Sequence, residues 1–140
     1  MITLLLLFYL FPVSTDNATL TVEVNGFRSD NGKVIMRIWQ DEGKWLKKEG
    51  VLQKVKIGIN KGKAVYTFTD LVPGKYAMAF VHDENENGHL DFNFAKIPKE
   101  GTGASNNASA TFGPPKFEDA AFILSAGEKK NIAVKLKYYL

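Results

Sequence analysis

The sequence predicts an all-β fold: a single-domain, two-sheet antiparallel β-sandwich of about seven strands, immunoglobulin-like or transthyretin-like, with one long ordered loop. Three observations carry this expectation. Apolar residues alternate with polar ones along nearly the whole chain after residue 16, the pattern of strands with one face in a core. Turn sequences rich in Gly, Asn, Asp and Pro separate the runs. Only Asp41 to Leu52 breaks the alternation, which leaves no set of helices to cover a parallel sheet.

Taken in order, Ile2 to Val13 is nearly all apolar and is followed by Ser14-Thr15-Asp16-Asn17. The run is shorter than the roughly 20 residues of a membrane-spanning helix. Although no Lys or Arg precedes it, it reads as a secretory signal peptide over residues 1–15, leaving 16–140 as the domain. The protein is then expected to be exported, to the periplasm or the cell surface.

Leu20, Val22 and Val24 form the inward face of a first strand, and Val34, Met36 and Ile38 that of a second, after the turn Ser29-Asp30-Asn31-Gly32. DEGKWLKKEGVL (41–52) is expected to form one helical turn capped by Asp41, with Trp45 and Leu46 pinned on the core. Val55, Ile57 and Ile59 mark a third strand. Asn60-Lys61-Gly62-Lys63 is a hairpin turn, and Ala64 to Thr69 returns. In FTDLVPGKY (68–76), Pro73-Gly74 encodes a tight reversal. Tyr76 then opens a strand with its ring in the core and its hydroxyl on a turn carbonyl. Met78, Phe80 and His82 continue that face. Phe122 with Leu124, and Ile132, Val134, Leu136 and Tyr138, supply the last two strands.

Composition bounds the chemistry. The 140 residues are 45% hydrophobic and 24% charged, a globular balance with room for one core. Cysteine is absent, which excludes disulfides, thiolate catalysis, thiolate zinc sites and lipid attachment at Cys. A net charge of +3 is too small to point to nucleic acid. Lys44, Lys47, Lys48, Lys54, Lys56, Lys61 and Lys63 make the middle of the chain basic. They read as a solvated face with edge-blocking lysines, or as a surface for an anionic partner such as lipid headgroups or acidic glycan.

The stretch from Asp83 to Asp119 is longer than a compact domain ordinarily leaves without structure of its own. Leu90, Phe92, Phe94, Ile97, Phe112 and Phe117 give it apolar surface to pack back on the sandwich, so function is expected there. At its start, HDENENGHLDFNF (82–94) places Asp83, Asn85 and Asn87 at alternate positions; Gly88 follows, Leu90 points back and Asp91 closes the run. Calcium loops use this spacing because oxygen ligands at alternate positions converge on one cation and glycine permits the bend. These four residues are the candidate metal ligands, with Ca²⁺ the candidate cofactor. The twelfth position, where such loops carry a bidentate Glu, is Phe94, so the missing carboxylate is sought in Glu100, Glu118 or Asp119. Two other readings stay open: a bare Asn-Gly turn with Asx hydrogen bonds, and a transition-metal site from His82 and His89 with Asp83 or Asp91. In IPKEGTGASNNASATFGPPKFEDAAF (97–122) neither a phosphate-binding loop nor a Ser105 nucleophile has the required surroundings.

FTDLVPGKY resembles the turn of transthyretin-like and carboxypeptidase-regulatory-like sandwich domains. HDENENGHLD, IPKEGTGASNNA and FGPPKFEDAAF together resemble a family of bacterial exported proteins known only as a domain of unknown function. That resemblance covers nearly the whole chain after the leader. It implies a cell-envelope β-sandwich and brings no catalytic residue.

The expected function is an exported envelope module, more in keeping with non-catalytic binding than with an enzyme. It would bind an envelope ligand or partner protein through the 83–119 loop, with Ca²⁺ as the ion that would order it. No nucleic-acid partner is expected, and no transmembrane helix in the mature chain. The alternative is a carboxylate-based hydrolase of an envelope saccharide, using two of Asp83, Asp91, Glu100, Glu118 and Asp119. A scaffold docking through a sheet edge is a third reading.

Overall fold

The structure is a computed structural model that describes residues 9–12 and 16–140; the leader expected over residues 1–15 lies, apart from 9–12, outside the described residues. Two sheets face one another across the core, as expected. Strands β1 (Ala18–Asn25), β2 (Lys33–Trp39), β3 (Gln53–Gly58), β4 (Ala64–Leu71) and β5 (Gly74–Asp83) carry the first part of the chain. After a long connection come β6 (Thr102–Ala104), a short helix α1 (Phe117–Ala120), β7 (Phe122–Leu124) and β8 (Lys129–Lys135). The smaller sheet has the order β4-β1-β8, and the larger has β3-β2-β5-β6 with β7 also on β5. Among the described residues no helix is long and apolar enough to cross a membrane.

Alternation does what it predicted. In β1 buried and half-exposed residues alternate along the whole strand, with Ala18, Leu20, Val22 and Val24 inside. They meet Val34, Met36 and Ile38 of β2 and Tyr76, Met78 and Phe80 of β5 across the core. Each large side chain buried this way contributes roughly 1.5–3 kcal/mol. A one-residue slip of register would turn all of them to water. The Asn60–Lys63 hairpin forms with positive φ at Lys61 and Gly62, and Asp30 fastens it by accepting from both their amides at 2.9 and 2.8 Å. Tyr76 donates its hydroxyl proton to the Val72 carbonyl, the corner expected from FTDLVPGKY.

The described residues form eight strands, in keeping with the expected seven or so, the additional one, β6, lying inside the stretch read as loop. Three expectations need correction. The sandwich is not wholly antiparallel: β1 runs parallel to β8, from Thr19 opposite Lys129 to Asn25 opposite Lys135. Asp41 caps a turn as expected, accepting from Gly43 N at 2.9 Å. That segment holds two 3-10 turns instead of one helical turn, however, and Leu46 stands exposed at φ +63°. Trp45 alone packs inward, edge-on to Trp39 at 5.0 Å and to Phe117 at 5.8 Å. Finally, most apolar residues of the long loop do not pack back. Phe117 is buried, but Phe92, Phe94, Ile97 and Phe112 are exposed.

The edge of β5 facing away from β2 is shared. Gly74 to Tyr76 pair with β7, and Ala79 to Val81 pair with β6. Ser105 occupies the break between these two ladders. Its hydroxyl accepts from Met78 N at 2.9 Å and donates to the Ala120 carbonyl. The residue is fully buried, so it serves as a hydrogen-bonded splice, which accounts for its failure to look like a nucleophile. Ser105→Ala is expected to cost about 2–3 kcal/mol, since it strands a buried amide and a buried carbonyl; urea unfolding checks this.

Candidate functional site

The site grows from the end of β5. Asp83 is its last residue, opposite Lys33 of β2, and is 1% exposed. A carboxylate can be buried there because both oxygens are satisfied: Oδ1 accepts from Asn87 N at 3.1 Å and Oδ2 from Gly88 N at 2.8 Å. The following loop folds over these bonds, with Gly88 at φ +87° supplying the bend that bulkier residues resist. Asn85 and Asn87 then turn toward Asp91, donating from their amides at 2.9 and 2.8 Å. The four residues expected from spacing are therefore brought together around one loop.

Of the carboxylates considered as a supplement, Glu100 joins the group, accepting from Asp91 N at 3.4 Å. Glu118 is engaged elsewhere, with Lys75 at 2.9 Å, and Asp119 lies beside it on α1. Among the described residues no three of His, Cys, Asp and Glu gather closely enough to hold a metal. The side-chain oxygens that could meet a cation here are those of Asn85 and Asn87 together with those of Asp83 and Asp91. That donor set is all oxygen, the kind suited to Ca²⁺ rather than to a transition metal.

The histidine pair is not assembled. His82 is fully buried, with Nε2 2.7 Å from the Asn31 carbonyl and Nδ1 2.8 Å from the Tyr138 hydroxyl. A carbonyl only accepts, so Nε2 carries the hydrogen. Neither nitrogen is left for a metal. His89 stays at the surface, 3.4 Å from Asp91.

Sequence reading missed Arg28, one of only two arginines in the chain. It donates from Nε to Glu84 at 2.8 Å and from Nη2 to the Lys99 carbonyl at 3.1 Å, and its guanidinium lies 4.7 Å from the centre of the Tyr138 ring. Its backbone amide donates to the Tyr138 hydroxyl, so Arg28, Tyr138 and His82 form one connected network. The choice of arginine in a lysine-rich chain was the available signal, because a rigid fork can serve several acceptors together.

Arg28, Glu84, Asn85, Asp91, Phe92 and Glu100, with Lys99, line an open cleft of about 500 Å³. Its two neighbouring carboxyls are tuned in opposite directions. Hydrogen bonds from Asn85 and then Asn87 hold Asp91 below its ordinary range, so its contribution is present above the unfolded aspartate value and lost as pH falls through the folded one. Burial pushes Glu100 up; its contribution is fully present below the unfolded value and lost as pH rises through the folded one. Glu100→Gln is therefore expected to raise the melting temperature at pH near 7, where the buried carboxylate is charged, and to lose that gain once pH falls below the ordinary glutamate range. Melts of both proteins across that range check the sign.

A family model described as "Uncharacterized protein conserved in bacteria (DUF2141)" matches residues 22–133. The chain belongs to this family. The DUF2141 match runs from within β1 to within β8, so it takes in the sandwich, the acidic loop and the cleft, in agreement with the resemblance read from HDENENGHLD and FGPPKFEDAAF. No curated protein matches the chain. Among solved structures, a pilus-presented adhesin is similar at 13% identity and a TM-score of 0.29, over 94% of this chain. This chain spans 29% of that one.

Proposed function

We propose that this DUF2141 protein is an exported, non-catalytic binding module of the bacterial envelope. In this reading the 83–91 loop takes Ca²⁺, and the adjoining cleft takes a ligand or partner. The observation that carries it is shared structure: Asn85 and Asp91 belong both to the loop's oxygen cluster and to the cleft wall. A cation drawing on Asp83, Asn85, Asn87 and Asp91 would relieve the crowding of carboxylates and fix the wall that the ligand meets. The long segment is then the working part, and the sandwich its support.

Calorimetric titration with Ca²⁺, and thermal melts with Ca²⁺ and then chelator, test the metal. Binding and a raised melting temperature are expected for the parent, with loss of both in Asp91→Asn, whose fold should persist because Asp91 lies outside the core. Absence of heat and of any shift in the parent removes the metal from the reading.

A carboxylate-based hydrolase is the second reading. It is favoured by the opposed tuning of Asp91 and Glu100 in one cleft, the arrangement that separates a base from an acid. Release of reducing ends from envelope saccharides by the parent, and its loss in Glu100→Gln, would support it over simple binding.

A further inference from the structure

We propose that the outer face of the larger sheet holds a second site, for a phosphoryl group, between Arg37 of β2 and Lys54 of β3. These residues are direct cross-strand partners. Arg37 faces Ala79 on its other side. The flanking residues Met36, Ile38 and Val55 turn into the core, so this row points outward. Beside the small Ala79 side chain the guanidinium is only partly covered.

Arg37 is half-buried, and among the described residues its side chain makes no hydrogen bond or ion pair. Its nitrogen atoms keep contact with solvent. Five N–H donors in a rigid fork are thus aimed outward without a protein acceptor. Arg28, the chain's other arginine, is by contrast fully engaged.

The surroundings deepen the contrast. Like charges directly opposite one another in a sheet are unfavourable, and here Arg37 sits against Lys54 with Lys56 and Lys48 acting on the same ammonium. Desolvation, and then these cations, hold Lys54 below its ordinary range; desolvation does the same to Arg37. Asp83 is the acid that acts on both, but its oxygens already accept from Asn87 and Gly88. Lys63, by comparison, pairs with Glu23 at 3.4 Å. The basic run of the sequence therefore divides: Asp83 acts on Arg37 and Lys54 only from a distance, and among the described residues neither cation has a carboxylate within ion-pair range. A phosphoryl group carries two negative charges or nearly so, and oxygens that match the guanidinium fork while the lysines act as point charges.

The test uses the full chain and inorganic phosphate. Amide NMR shifts at Arg37, Lys54 and Ala79, with a binding constant from their titration, are expected for the parent. Arg37→Gln and Lys54→Gln should each weaken binding at least tenfold, and Arg37→Lys should weaken it too because the fork is lost. Lys61→Gln, on the distant hairpin turn, should leave it unchanged. In phosphate-free buffer Arg37→Gln should melt no lower than the parent, which separates loss of a site from loss of fold. Repeating the titration with a soluble phosphomonoester and with phosphatidylglycerol vesicles identifies the source by which binds more tightly through Arg37. Absence of shifts at these residues, or equal weakening by Lys61→Gln, overturns the proposal.

Discussion

Asp83→Ala is expected to destabilise the protein by about 3 kcal/mol, since buried hydrogen bonds to a charged group are each worth roughly 1.5–3 kcal/mol. For a chain of this size that corresponds to roughly 10 °C in Tm. The cause is local and double. Removing the carboxylate leaves Asn87 N and Gly88 N without acceptors, at a position that is 1% exposed and so gives them little water in exchange. Hydrogen exchange should show the effect first at Asn87 and Gly88, with β1 and β8 protected until global unfolding. Asp83→Asn should fall between, because one amide acceptor survives and the other is replaced by a donor facing a donor. Retention of parental stability in Asp83→Ala would mean that the loop is not held by this carboxylate. The Ca²⁺ reading would then lose the residue that begins its ligand series.

The same residue shows what was legible in the sequence. Alternation identified the face that β1, β2, β3 and β5 turn to the main core, because period two follows from backbone geometry, but it did not show that β2 and β5 bury their other face as well. Turn chemistry was equally direct: Asn60 to Lys63 and Val72 to Tyr76 contain their own instructions in Gly, Pro and a nearby carbonyl. The oxygen-bearing side chains at 83, 85 and 87 were visible in their alternation, and the structure gathers them with Asp91 in one hydrogen-bonded loop. Pairing was not legible. The pattern says which way a side chain points and is silent on which strand lies alongside, so the parallel β1–β8 pair and the splice at Ser105 had no local signature. Thr102–Ala104 has three residues, too few for a period to register. The exposed Phe92, Phe94 and Phe112 mark the opposite limit: an apolar residue in a loop is only permitted to pack inward, and nothing local obliges it to. Arg28 and Arg37 were passed over because their meaning lies in partners from distant segments, present in one case and missing in the other.

Gly32→Ala is expected to cost about 3 kcal/mol or more, and to disturb the acidic loop from outside it. Gly32 has φ +69°, a region that costs a residue with Cβ roughly 1–2 kcal/mol. The larger penalty is collision. A Cβ at this position overlaps the Asp83 carbonyl oxygen and lies 2.7 Å from Glu84 Cα. Both are backbone atoms that cannot swing aside. The turn is also pinned by His82, whose ring donates to the Asn31 carbonyl, and by Lys33 pairing with Asp83. Overpacking of this kind costs about 1–3 kcal/mol by itself, so clash and strain together outweigh strain alone. Gly62 supplies the control: its φ is +75°, but nothing lies within 4 Å of an added Cβ. Gly62→Ala should therefore show only the conformational part, about 1 kcal/mol. Chemical denaturation of the pair separates the two terms. If Gly32→Ala costs no more than Gly62→Ala, the β1–β2 turn does not press on the end of β5. If it costs more and also weakens Ca²⁺ binding while Gly62→Ala does not, the turn is part of what sets the geometry of the 83–91 loop. The site would then depend on a glycine far upstream of it in the chain, for want of room for a single methyl group.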